Sequence, residues 1–97
     1  MHARVSKYSG DIELLRAGFE AVSTELRQIP GFAQALFLAD GETSSAMSIT
    51  LWESEAAMAA SAERAHQMRT RATEPASATI DSVESYEVVL TLAAGTP

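Results

Sequence analysis

The chain has 97 residues, of which 46% are hydrophobic and 21% charged, with thirteen acidic and seven basic side chains and a net charge of −6. This length indicates one domain, and the composition is that of a globular protein rather than a disordered polyampholyte. No run of Lys or Arg offers a surface for nucleic acid, and no apolar stretch approaches the ~20 residues that a membrane span needs. The absence of cysteine and of a hydrophobic leader after Met1 predicts a cytoplasmic protein.

The first half of the chain predicts a strand, a helix and a second strand in that order. Residues 2–8 form a short strand-like segment that ends in a Ser-Gly-Asp turn. Apolar side chains then recur at spacings of three and four, which predicts an amphipathic helix capped by Ser9 or Asp11 and ended by a Pro-Gly pair. These apolar side chains are Ile12, Leu15, Phe19, Val22, Leu26 and Ile29. Residues 32–39 form an apolar run of strand length.

The second half predicts a third strand, an alanine-rich helix and a last strand. A polar loop containing Asp-Gly joins the second strand to a third over residues 46–52, as in a β-hairpin. Residues 54–72 predict the second helix, which ends before a Glu-Pro pair. Residues 80–92 are rich in Val, Tyr and Leu and predict the fourth strand. We therefore expect one domain over residues 1–92 and a flexible tail over residues 93–97.

The order of these elements, βαββαβ, is that of the ferredoxin-like fold, an α+β architecture with an antiparallel four-stranded sheet and two helices on one face. Right-handed crossovers place the first and third strands side by side, and we expect these two strands to run parallel. The other face of the sheet would be uncovered in a monomer. A homodimer that packs sheet against sheet, as a dimeric α+β barrel, would bury this face.

The junction between the third strand and the second helix carries the most specific motif of the chain. Ser54 is a good N-cap, and Glu55 suits the positive end of the helix dipole. The segment Ser48–Ala57, together with Pro30–Phe32 and Val83–Val88, resembles the antibiotic biosynthesis monooxygenase (ABM) domain family over nearly the whole chain. The resemblance implies a dimer of ferredoxin-like units whose sheets form a joint barrel, with a pocket between each sheet and its helices.

Proteins of this family divide by function, which bears on the expected cofactor. Some oxidise polycyclic aromatic substrates without metal or flavin, some open the haem ring, and many have no known reaction. The haem-degrading branch uses an Asn from the first strand, a Trp within the second helix and a His further along it. This chain has no Asn, its only Trp is Trp52 in the third strand, Ser61 stands near the position of the helical Trp, and His66 alone could bind haem iron. We therefore expect no cofactor and no metal, and do not expect haem.

Arg69 is the candidate binding residue that the helical pattern singles out. It falls near the middle of the apolar stripe of the second helix, close to Met58 and Ala65 on a helical wheel. A buried arginine is costly unless it is paired. One interpretation is a pocket arginine that binds a carboxylate or a developing enolate oxygen. The other is a structural ion pair with Glu84, Glu87 or a partner chain, or a side chain that extends past the helix end.

Four further residues are substrate-pocket candidates, each with a structural alternative. His66 could transfer protons near neutral pH, or be a surface histidine. Trp52 could form an aromatic wall for a planar ligand, or pack in the core or a dimer interface. Tyr86 could donate a hydrogen bond to a substrate oxygen, or pack its ring. Met58 resembles a core gap-filler, and its flexibility would also suit a loosely specific pocket.

Together these features predict an ABM-like small-molecule enzyme, in the first place a cofactor-independent monooxygenase acting on an apolar aromatic substrate. The substrate would supply the carbanion that reacts with oxygen. Two alternatives stay open. One is a non-catalytic dimeric barrel that binds a small ligand or supports another protein, and the other is haem binding without the usual degradation residues. We expect a homodimer with a small apolar ligand as partner, and neither nucleic acid nor membrane.

Overall fold

The computed structural model describes residues 1–95 and contains strands and helices in the order βαββαβ. The elements are β1 (His2–Ser9), α1 (Ile12–Arg27), β2 (Phe32–Asp40), β3 (Ser45–Trp52), α2 (Glu55–Ala60), α3 (Ala62–Thr73), a 3₁₀ turn (Glu74–Ala76) and β4 (Thr79–Glu87). The predicted α+β, ferredoxin-like architecture is therefore confirmed. The strand boundaries match the sequence pattern to within one residue, except at the end of β4.

All four strands belong to one antiparallel sheet with the order β2-β3-β1-β4. β1 and β3 are neighbours, as expected, but their register runs from His2 opposite Trp52 to Ser9 opposite Ser45, so they are antiparallel. The prediction that they run parallel was wrong. The crossover through α1 makes β1 parallel to β2, and the hairpin then returns β3 between them in the opposite direction.

The first helix begins and ends where local signals predict. The side chain of Asp11 caps it by accepting a hydrogen bond from the backbone N–H of Leu14 at 3.0 Å. After the helix, Gly31 adopts a φ of +81°, which a side chain rarely tolerates. A Cβ on this glycine would lie 2.4 Å from the Cβ of Ala57, and its carbonyl accepts from the N–H of Glu53 at 2.8 Å. The Pro-Gly pair thus brings the end of α1 against the start of α2.

The predicted second helix is interrupted at Ser61 and forms two helices, α2 and α3. Ser54 caps α2 as expected, accepting from the N–H of Ala57 at 3.0 Å. At the interruption, the carbonyl of Met58 accepts from the hydroxyl of Ser61 at 2.7 Å and from the guanidinium of Arg4 at 2.8 Å. Side-chain donors therefore occupy the carbonyl that would continue the helical ladder, and serine bonding of this kind bends or breaks helices.

The last strand stops at Glu87, five residues before the predicted end at Leu92. Glu87 pairs with His2, the first residue of β1, so the sheet offers little further edge for pairing. Beyond Glu87, one backbone hydrogen bond extends the pairing of β4 with β1: the N–H of Val88 donates to the carbonyl of Met1 at 2.9 Å. Residues 88–95 have no regular secondary structure. Of the predicted tail at 93–97, residues 96 and 97 lie outside the described part of the chain.

The helices cover one face of the sheet. The core lies between the helices and the sheet and consists of two apolar clusters. The first consists of Val22, Leu26, Ile29, Trp52, Met58 and Met68. The second consists of Tyr8, Leu15, Phe19, Ala72 and Ala76. Within residues 1–95, no helix is long and apolar enough to cross a membrane.

The opposite face of the sheet carries an apolar patch on β1, β2 and β3, bordered by Glu84 on β4, and has no covering element among the described residues. Strand alternation and register place Leu36, Ile49 and Val5 in one cross-strand row on this face. Leu38, Met47 and Leu51 lie on the same face. Leu36 and Leu38 are each about half exposed. The exposed apolar side chains that the sequence pattern predicted for this face are therefore present among the described residues.

Candidate functional site

A small cavity lies between the helix-facing side of the sheet and helices α1 and α3. Its volume is about 40 Å³, which is room for a few water molecules. We call it the inner cavity. It is lined by Arg4, Ser6, Tyr8, Phe19, Val22, Leu26, Phe37, Ser48, Thr50, Trp52, Ala65, Met68 and Arg69. Most of these residues are apolar or aromatic, but the strand residues on its floor are polar.

The floor of the inner cavity is built by alternate residues of the two central strands. Arg4, Ser6 and Tyr8 all face the helices because side chains two apart in a strand share a face. Tyr8 is fully buried, and its hydroxyl lies 2.8 Å from the hydroxyl of Ser48 on β3. The two hydroxyls therefore have each other as hydrogen-bond partners. Burial raises the pKa of Tyr8. This phenol is therefore a neutral hydrogen-bonding group at physiological pH.

Arg4 is buried, with only 6% of its surface exposed. Its guanidinium donates to the carbonyl of Met58 at 2.8 Å and to the hydroxyl of Ser61 at 3.2 Å, both at the break between α2 and α3. Its Cζ lies 5.6 Å from the ring centroid of Trp52, within cation–π range. Burial lowers the pKa of Arg4, and the positive charge of Arg69 lowers it further. Arg4 is therefore held in place by neutral groups.

Arg69 reaches the same cavity from α3. It is half-buried, and its Nε is buried with no hydrogen-bond partner among residues 1–95. Burial lowers the pKa of Arg69, an effect that the nearby phenol of Tyr8 opposes. Within the described chain it forms no ion pair, so the expected salt bridge to Glu84 or Glu87 is not made. The interpretation of Arg69 as a structural ion-pair residue thus finds no carboxylate partner within residues 1–95.

Aromatic side chains form the walls. Trp52 is fully buried, and its indole N–H donates to the hydroxyl of Thr50 at 3.0 Å. The ring of Phe32 meets Trp52 edge-on, with centroids 5.7 Å apart. On the other side, Phe19 and Phe37 stack with centroids 4.5 Å apart and planes inclined by 15°. Flat aromatic walls over a polar floor suit a planar ligand that carries polar substituents.

Beyond the Phe19–Phe37 pair lies a larger open groove between α1 and the edge strand β2. Its volume is about 480 Å³, which is the scale of a small-molecule site. We call it the outer groove. It shares Phe19 and Phe37 with the inner cavity and carries Arg16, Glu20 and Arg27 along its helix side. The two stacked rings are therefore the partition between a small space and a much larger one.

The structure brings together only some of the residues that the sequence proposed. Trp52 and Arg69 both line the inner cavity. Met58 is buried beside it and contributes its carbonyl to Arg4. His66 is exposed and lies in a shallow groove on the outer side of α3. Tyr86 is half exposed on the uncovered face of the sheet, where its hydroxyl donates to Glu84 at 2.6 Å.

The sequence analysis missed Arg4, Ser6, Tyr8 and Ser48. A signal was present in β1, where polar or charged residues occupy alternate positions that face the core. Periodicity alone does not say which face of a strand is buried when both faces carry polar residues. Tyr8 was used only as evidence for a strand, and the significance of Arg4 depends on Ser61, 57 residues away.

A sheet of order β2-β3-β1-β4 covered by helices on one face defines a ferredoxin-like α+β fold. Solved structures place the chain more closely. It matches SnoaB, a cofactor-independent oxygenase from Streptomyces nogalater, with a TM-score of 0.75 and 17% identity over 94% of this chain and 95% of that one. It also matches a protein of Deinococcus radiodurans proposed to be an antibiotic biosynthesis monooxygenase, with a TM-score of 0.73 and 17% identity over 99% and 100% of the two chains.

A third match is the heme-degrader MhuD from Mycobacterium tuberculosis, with a TM-score of 0.73 and 21% identity over 96% of this chain and 100% of that one. No protein-family model matches the sequence, and no curated protein matches it significantly. At these identities the likeness concerns the fold. The resemblance to ABM proteins seen in the sequence is thereby confirmed at the level of fold, and the reaction is a separate question.

The expectation that the protein takes no cofactor, and that haem is not to be expected, needs correction. The MhuD structure has this fold and holds two hemes in its active site, so the fold itself accommodates haem. Two arginines of the inner cavity are of the kind that binds propionates, but its volume of about 40 Å³ is too small for a haem in this conformation, and the hydroxyl of Tyr8 is hydrogen-bonded to Ser48. His66, the ligand candidate from the sequence, lies outside this cavity. Haem therefore belongs among the ligands to be tested.

Proposed function

We propose that the chain is a small-molecule oxygenase of the ABM type that binds a planar aromatic substrate between its sheet and its helices. The observation that supports this most is the inner cavity itself. Aromatic walls from Phe19, Phe37 and Trp52 meet Tyr8 on the floor and Arg69 from α3, both of which carry hydrogen-bond donors. Donors buried at the floor of an apolar pocket can orient and stabilise an oxygen that becomes negative during reaction.

The substrate requires more room than the inner cavity offers in this conformation. Its 40 Å³ lies behind the Phe19–Phe37 partition, with the 480 Å³ outer groove on the other side. Phe37 is 43% exposed on the edge strand, so its side chain can rotate more freely than a core ring. Rotation of Phe37 would join the two spaces into one site long enough for a fused-ring ligand.

The chemistry that this site supports begins with ionisation of the substrate. A phenolic ring system with an acidic CH₂ group can lose a proton to give a carbanion whose charge is delocalised onto oxygen. The cationic Arg69 and the phenol of Tyr8 would stabilise that oxyanion in a site shielded from water. Reaction with O₂ then converts CH₂ into C=O, with one oxygen atom in the carbonyl and the other in water. The substrate supplies all four electrons in this sequence.

A homodimer is part of the proposal. The uncovered sheet face carries an apolar row of Leu36, Ile49 and Val5, and the exposed segment after β4 carries Val89 and Leu90. A chain of this size commonly gains stability by burying such a face against a second copy. Pairing through the sheet would leave the helix-side cavity of each protomer in place.

The test is oxygen consumption with a panel of anthrone-type substrates, which carry the required CH₂ group, measured with an oxygen electrode. Saturable uptake above the non-enzymatic rate is expected for the wild type. Arg69→Met should lower kcat by on the order of 100-fold, as removal of a transition-state donor does. Arg64→Met removes an exposed arginine of the same helix and should leave uptake unchanged.

Two results would contradict the oxygenase proposal. The first is that no member of the panel is consumed faster than in buffer. The second is that Arg69→Met and the Arg64→Met control behave alike. If ligands bind, as reported by quenching of the only tryptophan, Trp52, but oxygen is not consumed, the barrel is a binding protein rather than an oxygenase.

A further inference from the structure

The inner cavity holds two arginines and no carboxylate. Arg4 enters from β1 and Arg69 from α3, and neither makes an ion pair within residues 1–95. The ion pairs of the described chain involve other basic residues: His2, Arg16, Arg64 and Arg71. This distribution is unexpected in a chain with thirteen acidic side chains and a net charge of −6. Acidic groups are plentiful, yet none neutralises this pair.

The contacts of Arg4 orient its charge without cancelling it. Its two hydrogen bonds go to a backbone carbonyl and a serine hydroxyl, and its third neighbour is the face of the Trp52 ring. All three are neutral. With 6% of its surface exposed, the guanidinium has little water around it, so its charge is only weakly screened.

Arg69 is the less satisfied of the two. Its Nε is buried and has no hydrogen-bond partner among the described residues. A buried donor without a partner is unusual in a native protein and calls for an explanation. The phenol of Tyr8, which lies near Arg69, stays neutral because its own burial disfavours the phenolate. The cavity therefore keeps two positive charges and an unused donor.

Two structural explanations do not account for this pair. Solvent satisfies only part of Arg69, because its terminal nitrogens are not among the buried atoms without a partner, whereas its Nε is buried and has no partner among the described residues. A carboxylate of a second copy packed on the uncovered sheet face would be on the wrong side of the sheet, because Arg4 and Arg69 lie on the helix side. The explanation that remains is an anion that enters the cavity, because it would neutralise both charges and accept a hydrogen bond from the free donor.

We propose that the inner cavity is a site for a planar aromatic carboxylate, with the carboxylate bound by Arg4 and Arg69 and the ring extending past Trp52 into the space that rotation of Phe37 opens toward the outer groove. The proposal rests on the proposed function in that it concerns the same cavity and names the substrate class. Arginine is suited to this task because its planar fork binds a carboxylate through two parallel hydrogen bonds.

The experiment compares 2-naphthoate with 2-naphthamide, a neutral ligand of nearly the same shape, by isothermal titration calorimetry. Neither ligand needs to react, so binding is measured apart from oxygen chemistry. We expect wild-type protein to bind the carboxylate at least about 10-fold more tightly than the amide, the usual scale of one charge-assisted hydrogen bond. Arg69→Met should bring this ratio close to one, and Arg69→Lys should retain part of it because it keeps the charge but loses the fork.

Arg4→Met is the second test variant, and Arg64→Met is the control. Arg4 also supports the helix break, so circular dichroism and size-exclusion chromatography must show that its variant folds. If that variant does not fold, Arg69→Met decides the question, because the Nε of Arg69 has no partner to lose. Arg64→Met, which removes one charge from the outer side of α3, should leave the carboxylate preference intact.

The inference is overturned if wild-type protein binds naphthoate and naphthamide equally, if naphthoate does not bind, or if folded Arg69→Met keeps the full preference. These results are separable from the fate of the proposed function. Oxygen consumption with neutral substrates and no carboxylate preference would retain the oxygenase and reject the anion site. A carboxylate preference without oxygen consumption would retain the anion site and reject the oxygenase.

Discussion

The rings of Phe19 on α1 and Phe37 on β2 stack 4.5 Å apart and separate the inner cavity from the outer groove. Phe19 is buried and also packs against Tyr8, with centroids 5.1 Å apart, whereas Phe37 is 43% exposed. The partition therefore has one fixed ring and one that can move. Access to the arginines on the cavity floor depends on the second ring.

Phe37→Ala should open the partition. We expect faster association of a fused-ring ligand, measured by stopped-flow quenching of Trp52 fluorescence. The loss of stability should be about 1–2 kcal/mol, below the ~3–5 kcal/mol typical of a buried Phe→Ala change, because the ring is half exposed. Leu14→Ala, a half-exposed residue of α1 that lines neither space, is the control and should leave association unchanged. Slower association in folded Phe37→Ala would contradict the partition model.

Gly18→Ala should destabilise the protein, although alanine favours a helix. A Cβ at Gly18 would lie 2.4 Å from the carbonyl oxygen of Ala72, so α1 and α3 would have to move apart. Overpacking of this kind costs about 1–3 kcal/mol. Ala17→Gly, at the exposed neighbouring position, reports the propensity effect alone and should cost up to ~1 kcal/mol. If urea unfolding shows that Gly18→Ala is stabilising by a similar amount, the close helix contact is absent in solution.

Ser61→Ala should destabilise the protein through Arg4. The substitution removes the acceptor of one buried guanidinium N–H, which costs about 1–3 kcal/mol. In an Arg4→Met background the same substitution should cost less, giving a coupling energy of at least ~0.5 kcal/mol in a double-mutant cycle. Denaturant unfolding of the four proteins provides this cycle. Simple additivity would show that Arg4 and Ser61 do not interact across the helix break.

The buried phenol of Tyr8 predicts a loss of stability in alkali. Burial raises the pKa of Tyr8 in the folded state above the value near 10 of an unfolded tyrosine. Between these two pKa values the folded protein binds more protons than the unfolded one, so the free energy of unfolding falls as pH rises. The contribution of Tyr8 is thus complete below about pH 10 and is lost above it.

Unfolding curves from pH 8 to 11 measure this dependence, and Tyr8→Phe should flatten it. Tyr86 is the second of the two tyrosines, and its hydrogen bond to the Glu84 carboxylate raises its pKa as well. Tyr86→Phe is therefore the matched control and should leave most of the alkaline loss in place, because Tyr86 is exposed. An equal alkaline loss in wild type and Tyr8→Phe would show that Tyr8 is not the responsible group.

The uncovered sheet face predicts a homodimer at micromolar concentration. Multi-angle light scattering should give about twice the chain mass of 10.3 kDa. Leu36→Glu places a charge in the apolar row of this face and should shift the population toward monomer, whereas Leu14→Glu on α1 should not. A monomer of the wild-type protein at that concentration would contradict the barrel arrangement.

Much of the fold followed from short-range signals in the sequence. The three- and four-residue spacing of apolar side chains located α1, and Asp11, Ser54 and the Pro-Gly pair marked helix ends through contacts within a few residues. The order of strands and helices then selected the ferredoxin-like topology. The interruption at Ser61 escaped prediction because the donor that helps to hold it open, Arg4, is distant in sequence.

The site depended on tertiary structure, because its chemistry arises where residues far apart in the chain meet. The sequence by itself identified Arg69 on an apolar helix face and Trp52 at the strand–helix junction. Only the register of β1 against β3 joined Tyr8 to Ser48, and only the packing of the helices on the sheet put Arg4 and Arg69 into one cavity. Local patterns record which face of an element is apolar. Which charges share an enclosed space, and which lack a partner there, is decided when the layers pack.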